Sequence, residues 1–121
     1  MNNIVFVVLH YETLEDTKEC LHSLEKYLKD PRVQIVVVDN GSRKGKLASL
    51  VPEYGNNEQV HFLYSQENLG FAKGNNLGFR YAKQELGAEL IILANNDLVF
   101  RQEDFIEALV SQYEKTPFDL A

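Results

Sequence analysis

Four short apolar runs, each followed by a segment of helical periodicity, constrain what this chain can fold into. The runs are rich in β-branched residues and cover 4–9, 33–38, 60–64 and 89–94. Continuous apolar runs are typical of strands covered on both faces, and strands that alternate with helices indicate a parallel sheet with right-handed crossovers. The sequence therefore predicts an α/β, Rossmann-like fold: a mainly parallel sheet of about four strands with helices on both faces.

The segments that follow the runs predict the helices. Four are expected, over 13–30, 47–54, 71–86 and 102–115. Thr13 is expected to cap the first helix, with Asp16 three residues further on. Apolar residues repeat at helical spacing up to Leu28, and Asp30 before a proline ends the pattern. The second helix should be short and broken by Pro52.

Composition excludes some functions. The 121 residues suffice for one domain with a real core. The net charge is −6, whereas nucleic-acid binding uses clustered Lys and Arg, so nucleic acid is not the expected partner. The single cysteine, Cys20, can form no intrachain disulfide and is expected to be a packing residue in a reducing compartment. With no membrane-spanning segment or signal peptide in view, a cytoplasmic location is expected, with peripheral attachment at the inner face of the membrane as the alternative.

Two of the apolar runs end in a carboxylate. Asp39 follows the second run and Asp97 follows the fourth, in Asn95-Asn96-Asp97. The carboxyl ends of parallel strands meet at one edge of the sheet, where ligands bind. Asp39 would then be placed to accept a hydrogen bond from a base or ribose, and Asp97 would suit Mg²⁺ or Mn²⁺ completed by phosphates. Turn formation is the alternative for each segment alone, but the two together favour a nucleotide and a metal.

A glycine-containing run, 67–78, follows the third strand. Three glycines in a helical stretch cost about 1 kcal/mol each relative to alanine, so close packing or a ligand should offset them. Gly70 would let the helix N-terminus approach a phosphate. Gly78 is expected to pack against the sheet, and for Gly74 packing and ligand approach remain equal alternatives. The spacing matches neither a dinucleotide fingerprint nor a Walker loop.

The histidines and aromatic residues add little. His10, His22 and His61 show no metal-ligand spacing. His22 is expected to face solvent, and His10 to be polar surface at a strand end, with pocket lining as the alternative. Tyr11 could stack on a base, or be an exposed edge aromatic. Three aromatic residues are expected in the core: Phe71, Phe79 and Tyr81.

Taken together, these residues resemble family 2 glycosyltransferases with the GT-A fold, especially bacterial rhamnosyltransferase-like members. Four segments carry the resemblance in the right order: Val7-Val8-Leu9-His10-Tyr11, Val37-Val38-Asp39-Asn40-Gly41-Ser42, Asn68-Leu69-Gly70-Phe71-Ala72-Lys73-Gly74-Asn75-Asn76-Leu77-Gly78 and Leu93-Ala94-Asn95-Asn96-Asp97. Each is weak alone, and their order makes them fairly specific. The resemblance implies that 1–121 is the nucleotide-sugar-binding part of a GT-A domain, truncated before the acceptor-binding half.

The resemblance also implies roles by position. The donor-binding residues would be Tyr11, Asp39, Gly70, Lys73, Asn75 and Asn96. Tyr11 would contact the base and Asp39 the base or ribose. Asp97 would be the acid of the DXD-type motif and hold Mg²⁺ or Mn²⁺ against the diphosphate. The first acidic position of that motif is Asn95 here, which leaves one certain carboxylate.

The implied activity is inverting, metal-assisted transfer of a sugar from a dTDP- or UDP-sugar to a glycan or lipid-linked acceptor. In the family the general base lies downstream of Asp97. Glu103, Asp104 and Glu107 look like the start and exposed face of a helix, so none is assigned as that base. The chain alone would bind donor weakly and catalyse little. Apolar surface left uncovered by a missing half would favour a homo-oligomer.

Two other functions remain open at this point. One is a non-catalytic nucleotide-binding or interaction domain, which a longer reading frame with a later carboxylate-rich segment would argue against. The other is a nucleotidyltransferase, which would carry a glycine-rich basic loop after the first strand. The chain has His10-Tyr11-Glu12-Thr13 at that position, without glycine.

Overall fold

The fold is built on one parallel sheet of four strands. The computed structural model describes residues 3–44 and 46–115. The strands, in the sheet order β3-β2-β1-β4, are β1 (Asn3–His10), β2 (Val33–Asn40), β3 (Val60–Ser65) and β4 (Ala88–Asn95). The α-helices are α1 (Leu14–Leu24), α2 (Val51–Tyr54), α3 (Phe71–Gln84) and α4 (Phe105–Lys115). The predicted fold class is confirmed.

The strand register brings the ends of the inner strands to one edge. His10 of β1 pairs with Asp39 of β2, and Leu9 of β1 pairs with Asn95 of β4. Each strand runs one or two residues beyond its predicted apolar run. Asp39 and Asn40, expected to begin a loop, are therefore the last residues of β2. This is the edge at which the sequence predicted the site.

Helices cover both faces of the sheet, as predicted. One face carries Phe6 and Val8 of β1 under α1, α2 and α4, and the other carries Val5 and Val7 under α3. Phe6 lies at the centre of an aromatic cluster whose other members are Tyr27, Phe100 and Phe105. Through this cluster the segment after β4 packs against Tyr27, in the helical turns that follow α1.

The first helix differs from its prediction at both ends. Its stripe is buried as expected through Leu24, but the last turns, Glu25–Lys29, are a 3₁₀-helix. Thr13 stands at the N-cap position without making a side-chain cap. The capping prediction was wrong because the Thr13 hydroxyl accepts a hydrogen bond from Asn96 at 2.7 Å instead. A tertiary partner has replaced the local one.

Pro52 begins a helix instead of breaking one. Leu47–Ser49 is a 3₁₀ turn and α2 follows it, with Pro52 in the first turn of α2. Proline is tolerated there because a first-turn N–H has no partner within the helix.

The third helix lies unusually close to the sheet. A Cβ atom at Gly74 would come 2.8 Å from Leu9 Cδ1 and 3.0 Å from Asn40 Nδ2. Gly78 is as tightly placed, one turn further on. The packing expectation for Gly78 is met, and Gly74 has the same reason to be glycine. Among the described residues, no helix combines the length and apolar character needed to cross a bilayer.

Candidate functional site

Polar residues gather at the carboxyl edge of the sheet, and the pleat of the strands sorts them between its two faces. His10 and Asp39 occupy paired positions on the face covered by α1. Asn95 pairs with Leu9, which packs on the side of α3. Successive residues at each strand end therefore point alternately to the two faces of the sheet, one covered by α1 and the other by α3. The side chains described next use these positions to hold the loops of the site.

Asp39 organises the loop that follows β2. Its side chain is only 4% exposed. One carboxylate oxygen accepts the N–H of Ser42 at 2.9 Å and the other accepts the N–H of Leu47 at 3.1 Å. Buried carboxylates require such partners. Asp39 thus shapes a loop at the predicted donor site, and contact with a base or ribose would use its remaining lone pairs.

Glu12, which was not among the site residues predicted from the sequence, holds the same loop from the other side. Its backbone has a φ of +59°, a conformation uncommon for a residue other than glycine. Its N–H donates to Ser42 Oγ at 2.8 Å. Its Oε1 accepts the N–H groups of Arg43 at 2.8 Å and Lys44 at 2.9 Å. No signal in the sequence marks this role, because it depends on the meeting of two loops.

A cleft opens between this loop and the one that precedes α3. Its volume is about 560 Å³, and it is lined by Tyr11, Glu12, Gly41, Ser42, Arg43, Lys46, Gln66, Glu67 and Asn68. Ligand pockets of small molecules have volumes of roughly 300–1,000 Å³. Tyr11 is 42% exposed and presents its ring at the strand tip. Gly41 has a φ of +77°, and a Cβ there would lie 2.3 Å from the Glu67 carbonyl carbon. The two loops therefore touch at a point where only glycine fits.

Asn40, the last residue of β2, fixes the entry to α3. Its Oδ1 accepts the N–H of Leu69 at 3.0 Å, and its Nδ2 donates to Asn68 Oδ1 at 3.2 Å and to the Gly70 carbonyl at 3.3 Å. Gly70 has a φ of +82° and precedes α3 without a side-chain cap. The first-turn N–H groups of a helix attract anions. Gly70 therefore lies at an uncapped helix N-terminus, and its contact with a phosphate stays a prediction.

Two predicted residues on α3 lie apart from the cleft of Tyr11. Lys73 lines a separate hollow of about 370 Å³ on α3, with Leu69, Asn76, Leu77 and Arg80. Asn75 is buried, 6% exposed, and its Oδ1 has no hydrogen-bond partner within the described part of the chain. Such an unpaired acceptor costs about 1–3 kcal/mol. A donor from a ligand or an ordered water would satisfy Asn75.

The turn after β4 is fastened to α1 before Asp97. Asn96 donates from Nδ2 to Thr13 Oγ1 at 2.7 Å and to Thr17 Oγ1 at 3.0 Å. The N–H of Leu98 donates to the Asn95 carbonyl at 3.1 Å and closes the turn. Predicted as a donor-binding residue, Asn96 thus has its amide nitrogen committed to two threonines.

The segment is fastened again just after Asp97. The N–H of Phe100 donates to Ser23 Oγ at 2.9 Å, and the Lys26 ammonium donates to the Phe100 carbonyl. The Phe100 ring packs edge-on against Phe6 at 5.3 Å between centroids. Asp97 lies exposed between these two anchors. The structure therefore presents the predicted metal ligand on a short, well-held connection.

His10 is the clearest error of the sequence analysis. Expected as polar surface, its side chain is completely buried. Its Nδ1 lies 2.5 Å from Thr17 Oγ1. The strand tip is buried because α1 returns over it and supplies a polar partner, which a one-dimensional pattern does not show.

Cys20 behaves as the predicted packing residue. It is completely buried in α1. Burial, with a smaller contribution from the negative charge of Asp97, raises the pKa of the Cys20 thiol to about 12. The thiol is therefore protonated at neutral pH and unsuited to act as a nucleophile.

The remaining histidine and aromatic predictions divide. His22 faces solvent as expected and lies 3.2 Å from the Glu53 carboxylate. Tyr81 packs in the α3-side core as predicted, beside His61. Phe79, predicted for the core, is 41% exposed because it lies on the outer side of α3. The side chain of Phe71 lies outside what the structure describes.

A preformed metal cage is absent from the described residues, where no three His, Cys, Asp or Glu side chains come together. Asp97 is the only carboxylate of the turn after β4, next to the amides of Asn95 and Asn96. Magnesium is commonly held by one or two carboxylates together with substrate phosphates and waters. The donor set therefore fits a cation that arrives with a diphosphate.

Comparison with known proteins identifies relatives over nearly the whole chain. The model of glycosyl transferase family 2 matches residues 4–121. The low-salt glycan biosynthesis hexosyltransferase Agl10 of Haloferax volcanii is 27% identical over 120 residues, which are 99% of this chain and 36% of that protein. The dTDP-rhamnosyl transferase RfbF of Shigella flexneri is 35% identical over 112 residues, 90% of this chain and 34% of that protein. The chain spans about a third of the length of these relatives.

Solved structures confirm the architecture. S. aureus TarS 1–349 superposes with a TM-score of 0.76 at 20% identity, covering 93% of this chain and 32% of that one. The same protein in complex with UDP-GlcNAc gives a TM-score of 0.77 at 20% identity, over 93% and 31%. At this identity the likeness concerns the fold: a four-stranded parallel sheet between layers of helices.

Proposed function

Because this chain belongs to glycosyl transferase family 2, we propose that it binds the nucleotide-diphosphate sugar from which a GT-A glycosyltransferase transfers the sugar to an acceptor. The printed functions of both curated relatives, hexosyl transfer and dTDP-rhamnosyl transfer, support this class of reaction. The observation that most supports the proposal is the carboxyl edge of the sheet. A cleft large enough for a nucleoside, an open helix N-terminus and an exposed carboxylate lie there, each after a strand.

The proposed place for the nucleoside is the cleft beside Tyr11. Tyr11 would offer its ring to the base, since aromatic faces stack on bases. Asp39 and Glu12 hold the wall of the cleft through four backbone N–H groups. That wall is fixed before any ligand binds, so little conformational entropy would be lost when the nucleotide enters.

The diphosphate would lie between the start of α3 and Asp97. Gly70 leaves the helix N-terminus open without a side chain above it. Enzymes with the GT-A fold generally use a divalent cation. We propose Mg²⁺ or Mn²⁺ at Asp97, where it would supply charge neutralisation on the leaving diphosphate. Asn75 stays a predicted donor-binding residue, but its unpaired Oδ1 is itself buried, so contact with a sugar hydroxyl would require the start of α3 to move.

The other half of the reaction is assigned outside these residues. Inverting transfer needs a general base for the acceptor hydroxyl. Glu103 and Asp104 precede α4 and Glu107 lies in its first turn, on the exposed surface, and we assign the base to none of them. We propose that the base and the acceptor site lie beyond residues 1–121, consistent with relatives about three times as long.

Substrate and location are proposed only by class. The donor is a dTDP- or UDP-sugar, supported by the names of RfbF and of the UDP-GlcNAc complex of TarS. The acceptor is a glycan or a lipid-linked glycan, and the location is the cytoplasm or the inner face of the membrane. A nucleotidyltransferase has less support, because the β1 tip carries no glycine between His10 and Thr13. A longer reading frame with a later carboxylate-rich segment, and sugar transfer by its product, would argue against a non-catalytic nucleotide-binding domain.

Calorimetric titration tests the donor site. UDP and dTDP are titrated into the chain with and without Mn²⁺, and into Asp97→Asn, which removes the charge at constant shape. We expect Mn²⁺ to tighten nucleotide binding in the parent chain and not in Asp97→Asn. Asp104→Asn, an exposed carboxylate before α4, is the matched control and should keep the effect. Equal Mn²⁺ enhancement in both variants, or no nucleotide binding, would contradict the proposal.

A further inference from the structure

His10 is a buried histidine that the proposed function does not use. It ends β1 directly before Tyr11, and its side chain is completely buried. Its Nδ1 lies 2.5 Å from the hydroxyl of Thr17, which is also completely buried, on α1. A polar pair at this depth requires satisfied hydrogen bonds. The pair therefore reports a specific arrangement at the edge that carries the donor site.

The same hydroxyl continues to the turn of Asp97. Asn96 Nδ2 donates to Thr17 Oγ1 at 3.0 Å. An amide nitrogen can only donate, so Thr17 Oγ1 accepts there and its own proton is free to point to His10 Nδ1. With that proton directed to Nδ1, His10 is the tautomer that carries its own proton on Nε2. A directed chain of donors so runs from Asn96 through Thr17 to His10.

These hydrogen bonds connect three elements whose relative positions shape the donor site. His10 belongs to β1, Thr17 to α1, and Asn96 immediately precedes Asp97 after β4. The Asn96 side chain is half-buried against α1, whereas Asp97 is exposed. Asn96, and with it the start of the turn that carries Asp97, is thus held against α1 by Thr17 Oγ1 together with Thr13 Oγ1.

We propose that His10 and Thr17 are positioning residues for the donor site: they orient Asn96 and through it hold Asp97 where it can meet the cation and the diphosphate. The inference rests on the proposed function of Asp97. Neither residue would touch the nucleotide or the cation. Partners that orient metal ligands typically affect metal affinity by about 10–100-fold when they are removed.

The test compares Thr17→Val with Thr17→Ser. Valine keeps the branched shape and removes the hydroxyl, whereas serine keeps the hydroxyl. The readout is the ratio of UDP dissociation constants without and with Mn²⁺. We expect this ratio to fall about tenfold in Thr17→Val, with metal-free UDP affinity unchanged, and to stay within about twofold in Thr17→Ser. Should the valine variant fail to fold, Thr17→Ala, with its high helix propensity, carries the comparison.

A second readout concerns His10 alone. In ¹⁵N spectra of the folded chain, His10 should show the Nε2-protonated neutral tautomer, and its Nδ1 resonance should move in Thr17→Val but not in Thr17→Ser. Protonation on Nδ1 in the parent chain would overturn the assigned direction of the donor chain and the inference with it.

The outcomes separate the two proposals. If Asp97→Asn abolishes the Mn²⁺ effect while Thr17→Val retains it, the positioning role is wrong and the donor site stands. If Asp97→Asn also retains it, or the parent chain shows no Mn²⁺ effect, the proposed metal role fails and the positioning role fails with it. Loss in Asp97→Asn and Thr17→Val, with retention in Thr17→Ser, is the result that both predict.

Discussion

Gly78 of α3 lies directly over Val7 of β1: a Cβ atom at Gly78 would come within 2.4 Å of Val7 Cγ1 and 3.0 Å of Val38 Cγ2. Real Cβ atoms do not approach other heavy atoms so closely. The missing side chain lets α3 settle onto the sheet, and its first turn consequently starts at the carboxyl edge, next to Asn40. The position of the open helix N-terminus is therefore a consequence of packing one and two turns away.

Gly78→Ala should lower the free energy of unfolding by about 1–3 kcal/mol, because the methyl group has to displace buried valines. This loss exceeds the gain of about 1 kcal/mol in helix propensity. Urea unfolding followed by circular dichroism measures it. Gly55→Ala is the control, since the nearest atom to its new Cβ is 3.6 Å away. Equal stability of Gly78→Ala and the parent chain would show that the contact is not as close as described.

Asp39→Asn should make the loop after β2 less stable, and this effect should be present in the ligand-free chain. The amide would present an N–H₂ group to one of the two N–H donors, of Ser42 or Leu47, that the carboxylate accepts. An unsatisfied buried pair costs about 1–3 kcal/mol. Hydrogen exchange of the Ser42 and Leu47 amides should accelerate, while the amides of β1 stay protected. In Asp30→Asn, a carboxylate at the opposite end of β2, exchange in this loop should not change.

Cys20 should react with a thiol reagent only when the chain unfolds. Burial raises its pKa from the ordinary 9.0 to about 12, so almost no thiolate exists in the folded chain. Because the folded pKa is the higher one, the thiol contributes stability that is fully present below pH 9 and is lost as the pH rises toward 12. The labelling rate and the unfolding free energy against pH, each compared with Cys20→Ala, measure this. Rapid labelling under native conditions at pH 8 would contradict the burial.

Tyr11→Ala should weaken nucleotide binding while leaving stability nearly unchanged. The ring is 42% exposed, so its removal should alter the free energy of unfolding by less than about 0.5 kcal/mol. Stacking between a base and an aromatic ring is worth roughly 1–3 kcal/mol, so the UDP dissociation constant should rise about 5- to 150-fold. Phe79→Ala, at 41% exposure on α3, is the matched control and should bind UDP like the parent chain. Equal UDP affinities of the two variants would show that the base does not stack on Tyr11.

Much of the fold followed from patterns that are local in sequence. The apolar runs predicted all four strands because a strand buried on both faces needs a continuous run, such as Val36 to Val38. The polar residues after these runs then had to meet at one edge, because parallel strands share their carboxyl ends. Asp39 and the turn of Asp97 were placed correctly for this reason.

The errors arose where a side chain chose a distant partner. Thr13 looked like a helix cap, but Asn96, 83 residues further on, competes for its hydroxyl. His10 looked like exposed polar surface, but Thr17 on the returning helix buries and satisfies it. Glu12 gave no signal at all, since its carboxylate finds its partners in a loop 31 and 32 residues away. Periodicity reports which face a residue occupies and does not report which loops meet there.

The most direct test of the donor site is a ¹H–¹⁵N NMR titration of the chain with UDP and Mg²⁺. The account predicts chemical-shift changes of the amides around Tyr11, Ser42 and Asn68. When traces of Mn²⁺ replace the Mg²⁺, the amides around Asp97 should broaden selectively. Amides at the opposite edge, such as Gln59, should not move. Shifts that cluster at Gln59, or broadening that spares the turn after β4, would contradict the assignment of the carboxyl edge as the donor site.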